Sequence, residues 1–237
     1  MYTKSSELYD LIYAKSGKNY KDEAEKLENI INSYSSKYET LLNVACGTAE
    51  HDKFLKSYFC VDGLDINETF IKIARSKNPE CNYYIGDMRE FSVGKKYDII
   101  TCLFSSIGFL QSLNELGQTI KTFKSHLNKG GIILIEPFFE PSGWCPDKYP
   151  LHLKMYEDKN TKYVRLAKSS TEGRYAIMQE FHSYLTVDSY EHFEENMRQY
   201  LFKRDEIEMA IKNNGFDYEY DKNGLIGRGL HIGILKS

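Results

Sequence analysis

Short apolar runs alternate with longer amphipathic ones through the first half of the chain. Residues 40–45 (Thr-Leu-Leu-Asn-Val-Ala) predict a buried strand ending at Cys46-Gly47, and residues 50–58 a helix with Phe54 and Leu55 turned inward. Residues 60–66 predict a second strand. Residues 67–76 predict a second helix, with Phe70, Ile71 and Ala74 on one face. A third strand is expected over 82–85 and a fourth over 97–104. A helix over 113–127, stopped by Lys129-Gly130-Gly131, and a fifth strand over 132–136, closed by Pro137, complete the series. Alternation at this spacing predicts an α/β fold, a doubly wound and mostly parallel sheet covered on both faces. Such sheets bind ligands outside the carboxyl ends of their strands.

The texture changes after Pro137. Residues 163–169, 175–187 and 196–202 alternate apolar and polar positions, as half-buried antiparallel strands do, with a turn over 170–173. A helix over 204–213, ended by Gly215, and a last strand over 230–235 return to the first pattern. The chain thus reads as one domain, 1–237, with an antiparallel β lid inserted at 138–202 before the last helix and strand.

Composition narrows the function classes. In 237 residues, 31 basic against 34 acidic side chains leave a net charge of −3. No basic stripe tracks a phosphate backbone, so nucleic acid is not an expected partner. Hydrophobic residues make up 41%, enough for a core. The longest aliphatic run, Ile132 to Ile135, is too short to span a bilayer, and the polar first twenty residues lack a signal-peptide centre. Five cysteines without a C-x-x-C pair suit reduced thiols in the cytoplasm. Nineteen tyrosines suit either a pocket for a polar organic ligand or ordinary strand and surface positions.

Candidate chemistry concentrates at the first strand-to-helix turn, Val44-Ala45-Cys46-Gly47-Thr48. Glycine there lets a ligand approach the backbone, and a helix N-terminus offers free N–H groups. Asp65 ends the second strand, placed to accept the hydroxyl protons of a ribose. A dinucleotide pyrophosphate needs G-x-G-x-x-G, of which only Gly47 is present, so a smaller ribose-bearing cofactor is implied. Gly86-Asp87-Met88 follows the third strand, where an acceptor and a flat apolar side chain suit an adenine. The same strand ends carry Ala45, Ile66 and Phe104 on the cofactor side.

In this order the segments resemble class I S-adenosylmethionine-dependent methyltransferases, whose domain is Rossmann-like. The resemblance extends along nearly the whole chain to the N,N-dimethyltransferases of nucleotide-linked (dTDP) amino sugars. It is carried by Tyr9-Asp10-Leu11, residues 17–20 (Gly-Lys-Asn-Tyr), 44–48 and 86–91, and 104–108 (Phe-Ser-Ser-Ile-Gly). Glu136-Pro137, Ser169-Ser170, Glu172-Gly173, Glu194-Glu195, Leu201-Phe202 and residues 227–230 (Gly-Arg-Gly-Leu) extend it. The resemblance implies S-adenosyl-L-methionine as cofactor, with Tyr20 and the Gly47 loop at its methionine part. Asp65 would lie at its ribose and Asp87 and Met88 at its adenine. Tyr9 and Arg228 are implied near the acceptor.

Three departures bear on the acceptor. Phe109 stands where the family has histidine, Phe193 and Met197 stand where histidines flank Glu194-Glu195, and Ala49 replaces a second glycine of the cofactor loop. Glu180 and His182, two apart on one lid strand, share a face that either lines an acceptor site, with His182 or Glu180 taking a proton, or is solvated. Phe109, Phe138 and His231 are expected at the acceptor pocket. No His/Cys/Asp cluster has metal-ligand spacing, so no metal is expected. The segment after the fourth strand, residues 103–106, is not the N-P-P-aromatic of nucleic-acid N-methyltransferases. The expected partner is a small-molecule acceptor, with no membrane contact. The pattern fixes no oligomeric state, and a homodimer is allowed. A methyltransferase on another small amine or hydroxyl, and a cofactor-binding module without catalysis, are the alternatives.

Overall fold

The computed structural model describes residues 4–14, 17–148, 150–157 and 159–236. Helices α1 (Tyr9–Ala14) and α2 (Tyr20–Tyr34) precede β1 (Thr40–Val44), α3 (Asp52–Leu55), β2 (Cys60–Asp65), α4 (Glu68–Lys77) and β3 (Asn82–Ile85). Then come β4 (Tyr97–Cys102), α5 (Leu113–Ser125) and β5 (Leu127–Ile135). Strands β6 (Leu151–Glu157), β7 (Thr161–Glu172), β8 (Tyr175–Thr186) and β9 (Tyr190–Tyr200) follow, and α6 (Arg204–Asn213), β10 (Phe216–Asp221) and β11 (Leu230–Leu235) close the chain.

Seven strands form one sheet in the order β10-β11-β5-β4-β1-β2-β3. Strands β1 to β5 pair in parallel, and β11 runs antiparallel to both β5 and β10. The order reverses direction between β1 and β4, so the loops after these strands open a crevice at the sheet's carboxyl edge. Both faces are covered, which is why β1 and the Ile132–Ile135 part of β5 read as nearly unbroken apolar runs. Leu27 and Ile31 of α2 pack with Leu41, Ile99, Ile132 and Leu134 in one core cluster. Cys46, Ala49, Ile71, Ala74 and Tyr83 form another. Gly63 in β2 is part of that packing: a Cβ there would meet the Tyr83 ring at 2.5 Å.

The other four strands form an antiparallel sheet in the order β6-β7-β8-β9. This sheet and α1 belong to one compact unit, and the seven-strand sheet with the remaining helices to another (Asn19–Phe138 and Phe202 onward).

Several element bounds depart from the sequence reading, each for a local reason. The helix expected over 50–58 spans only Asp52–Leu55, because Ala49 is left-handed and Ser57 and Tyr58 are exposed. β4 stops at Cys102 rather than 104, since Phe104 and Ser105 are also left-handed. α5 ends at Ser125, and β5 begins at Leu127 instead of 132, with a register shift opposite Tyr97. The turn expected over 170–173 sits at Gly173-Arg174, so β7 runs on to Glu172. The strand expected over 196–202 is β9, which runs over Tyr190–Tyr200.

Candidate active site

The loop after β1 is built from alternating left-handed residues: Ala45 at φ 56°, Gly47 at 58° and Ala49 at 62°. Left-handed backbone costs a non-glycine residue about 1–2 kcal/mol, so the two alanines are held there by their surroundings. Ala49 is fully buried. Gly47 faces the other way: a Cβ built on it would meet nothing within 4 Å. Below the loop, Asn43 Nδ2 donates to Asp52 Oδ1 at 2.6 Å, and the Thr101 hydroxyl donates to Asn43 Oδ1 at 3.1 Å. Burial pushes the Asp52 carboxyl up to about 7.

Asp65 ties the ends of β1 and β2 together. Its Oδ2 accepts the Gly47 N–H and its Oδ1 the Asn67 N–H, each at 2.9 Å. A carboxylate has about four lone-pair sites, so two backbone bonds leave capacity for further donors. Burial raises its pKa, against the backbone donors of Asn67, Gly47 and Ile66. Ile66 beside it is exposed, 44%, an apolar side chain at the mouth of a strand end. Asp87 is held by Arg89, whose Nη2 lies 2.6 Å from Oδ2 and whose backbone N–H donates to Oδ1 at 2.9 Å. Arg89 accordingly holds its carboxyl below the usual range. Met88 next to it is half-buried.

At the end of β4, Phe104 and Ser105 are left-handed in succession, φ 51° and 65°. The turn is pinned from two sides. The Phe104 N–H donates to the buried Glu136 Oε2 at 2.6 Å, and Arg228 Nη1 donates to Ser105 Oγ at 2.7 Å. A one-turn 3₁₀ helix, Ser106–Phe109, follows and leaves Phe109 half-buried. Phe138 is half-buried beyond the end of β5. His231 lies in β11 among aromatic rings, with its Nδ1 3.0 Å from the Tyr218 hydroxyl. Burial, with Arg204 second, lowers its pKa to about 3, so it is neutral at pH 7. Tyr20 opens α2 with its ring edge-on to His51, centroids 4.8 Å apart.

Tyr9, Glu180 and His182 belong to the antiparallel unit. Tyr9 is half-buried on α1, 4.7 Å from the Tyr13 ring. Glu180 and His182 do share a face, and it is not a solvated one: both are buried. Glu180 is paired with the Arg165 guanidinium, and its pKa is lowered despite burial, by donors from His182 and Arg165. His182 Nδ1 lies 2.8 Å from the Tyr163 hydroxyl, and its ring stacks on Phe193 at 4.7 Å. Glu195, opposite Glu180 on β9, accepts the Lys4 N–H and the Ser5 hydroxyl. Glu180, His182 and Glu195 each offer a ligand atom within 4.8 Å of the others, a grouping the sequence spacing did not reveal. Arg165, Ser5 and Lys4 already direct protein donors at both carboxylates.

The family model described as a methyltransferase domain matches residues 41–131. Similarity extends well past it. A dTDP-3-amino-3,6-dideoxy-alpha-D-glucopyranose N,N-dimethyltransferase of Streptomyces fradiae is 36% identical over 97% of this chain and 90% of its own length. The crystal structure of Streptomyces venezuelae DesVI superposes with a TM-score of 0.91 at 29% identity, covering all of both chains. CalS10 of Micromonospora echinaspora, an amino pentose methyltransferase solved with S-adenosylmethionine bound, gives 0.86 at 26% identity over 99% of this chain and 98% of that one. The chain belongs to the amino-sugar N,N-dimethyltransferase family. It is an S-adenosylmethionine-dependent N-methyltransferase with the Rossmann-like fold of its class.

The residues of the seven-strand unit fit that cofactor. Gly47 leaves open space where a side chain would stand, Asp65 keeps acceptor capacity, and Ile66 offers exposed apolar surface beside it. Tyr20, Ala45, Asp87, Met88 and Phe104 lie in the same unit, as do Arg228, Phe109, Phe138 and His231. Sequence reasoning missed the buried polar groups that brace these positions: Asn43, Asp52, Glu23, His51 and, as a bonding partner of the β4 turn, Glu136. Asn43 inside the apolar run Leu-Leu-Asn-Val was the available signal, since a polar residue there must be satisfied internally.

Proposed function

We propose that this enzyme methylates the amine of a nucleotide-linked amino sugar. The reading is supported by identity that runs through both units, 36% over 97% of the chain, to a protein whose name specifies such an acceptor. S-adenosylmethionine supplies a methyl group already activated as a sulfonium. The chain's task is then to hold donor and neutral amine in line, which is where most of the barrier reduction arises. Asp65 takes the ribose hydroxyls, Asp87 and Met88 the adenine, and Tyr20, Ala45, Gly47, Ile66 and Phe104 complete the cofactor contacts. Arg228 serves the acceptor, its planar fork suited to a phosphate oxygen while Ser105 fixes its orientation. Tyr9 is assigned to the acceptor as well. His182, between Tyr163 and Glu180, is the candidate to hold a proton. Phe109 and Phe138 present apolar walls, and His231 supports the acceptor side as a neutral group.

The test is turnover with S-adenosylmethionine on a panel of dTDP-linked 3-amino and 4-amino sugars and simple amines, for the natural chain and Phe109→His. The expected result is preference for a nucleotide-linked amino sugar, with a changed ranking in the variant. Turnover on simple amines alone would overturn the acceptor assignment. A uniform rate change in Phe109→His would show that position to matter for proton transfer instead.

We further assign the chain to the cytoplasm, supported by five cysteines that are all free thiols. No helix of the described residues is long and apolar enough to cross a membrane. We also propose a homodimer formed through the exposed apolar side chains of β6–β8.

A further inference from the structure

The first turn of α2 and the residue closing the cofactor loop meet around one imidazole. His51 sits two residues after the left-handed Ala49, at the start of α3, and is buried. Its Nε2 lies 2.8 Å from Oε2 of Glu23, which is itself buried. Tyr20 lies three residues before Glu23, on the same face of α2, and its ring meets the imidazole at 82°. One helical turn thus grips the ring twice, through a carboxylate on a nitrogen and an aromatic ring against its edge. The backbone continues the connection: the Lys53 N–H donates to the Ala49 carbonyl at 3.2 Å, and the Leu55 N–H to that of His51 at 2.9 Å. The imidazole thus links Tyr20 to the helix that follows the Gly47 loop. A buried carboxylate and imidazole are costly to bring together for packing alone, and an apolar pair would fill the same volume more cheaply.

We propose that His51 is a positioning residue for S-adenosylmethionine: clamped by Glu23, its ring sets Tyr20 against the cofactor loop. The proposal rests on the assignment of Tyr20 to the cofactor. His51 acts through Tyr20 and does not itself touch the methyl donor or the acceptor.

The experiment is a double-mutant cycle on the full chain, with S-adenosylmethionine affinity measured by titration calorimetry and kcat and KM by turnover. Its members are Tyr20→Ala, His51→Gln and the pair of substitutions together. Glutamine at 51 keeps an N–H that can reach Glu23 but has no ring, so no buried carboxylate is stranded. His51→Gln is expected to weaken affinity about tenfold and raise the cofactor KM by a similar factor, with kcat at saturation within about twofold. The double variant should bind no more weakly than Tyr20→Ala alone, because the effect of His51 passes through that ring. Thermal midpoints check that each variant is folded. Should His51→Gln fail to fold, Glu23→Gln enters the same cycle with the same expectation. Additive losses would overturn the positioning role while leaving Tyr20 at the cofactor. Unchanged affinity in folded Tyr20→Ala would instead overturn the assignment of Tyr20, and the proposal with it.

Discussion

Asp65 joins two backbone N–H groups, and its remaining lone pairs are what a ribose can use. Hydrogen bonds to a charged group contribute about 1.5–3 kcal/mol each. Asp65→Ala should therefore weaken S-adenosylmethionine binding by roughly tenfold or more, at about 1.4 kcal/mol per decade. Part of the loss will come from freeing the Gly47 N–H, which lets the left-handed loop relax. Titration calorimetry on the folded variant measures it, and unchanged affinity would remove Asp65 from the site. Asp65 and Gly47 stand out in the sequence because strand ends in a doubly wound sheet have few ways to present a ligand. Ala49 is the instructive neighbour. It stands where a glycine is expected, yet keeps φ at 62° with its methyl buried beside Ile71 and Ala74. Position in the loop, more than the residue type, dictates that conformation.

The antiparallel sheet is inverted with respect to ordinary patterning. Arg165, Glu180, His182, Glu195 and Gln199 are buried on one face. Leu151, Leu153, Met155, Leu166 and Leu185 are exposed on the other, Leu153 directly opposite Leu166 across β6 and β7. Exposed apolar side chains grouped on one sheet face suit association with a second copy related by a two-fold axis. Lys162 and Lys168 share the face with Glu157 and Glu194, so both signs are available for such self-pairing. Leu153→Glu with Leu166→Glu should convert a dimer to a monomer in sedimentation velocity without lowering the thermal midpoint of the monomer. A natural chain that sediments as a monomer at micromolar concentration would remove the homodimer. The same elements mark where the sequence was hard to read. β10 alternates apolar and acidic residues, and Asp and Glu are poor strand formers, so its pattern does not announce a strand. β6 alternates too, but Pro137, Pro141, Pro146 and Pro150 precede it and the stretch resembles a loop. The parallel strands were legible because burial on both faces writes them as apolar runs. The bracing pairs Asn43–Asp52 and Glu23–His51 join residues 9 and 28 apart in sequence, and no local pattern announces them.

For the molecule as a whole, two buried groups in the seven-strand unit oppose each other as pH changes. Asp52 has a folded pKa of about 7 against an ordinary 3.8, so the folded state holds a proton there that the unfolded chain has released. Its contribution to stability is fully present below pH 3.8 and is lost as pH rises to 7. His231 is the reverse case, about 3 when folded against 6.5. The unfolded chain takes up a proton that the folded state refuses, so stability is lost as pH falls from 6.5 towards 3. Each group titrating in only one state contributes a slope of roughly 1.4 kcal/mol per pH unit. Between about pH 4 and 6.5 the two slopes have opposite signs and similar size, and they cancel. Substituting either group should expose the other. Asp52→Asn keeps an oxygen for Asn43 and removes the titration, so the variant should gain on the natural chain as pH rises from 4.5 to 6.5. Its own stability should climb over that interval, driven by His231. His231→Phe should show the opposite slope, falling as pH rises, driven by Asp52. Urea unfolding of the three proteins at pH 4.5, 5.5 and 6.5 measures both differences. Parallel pH profiles for the natural chain and Asp52→Asn would mean that Asp52 ionises when folded much as it does when unfolded, and the polar bracing under the cofactor loop would then carry a charge at neutral pH.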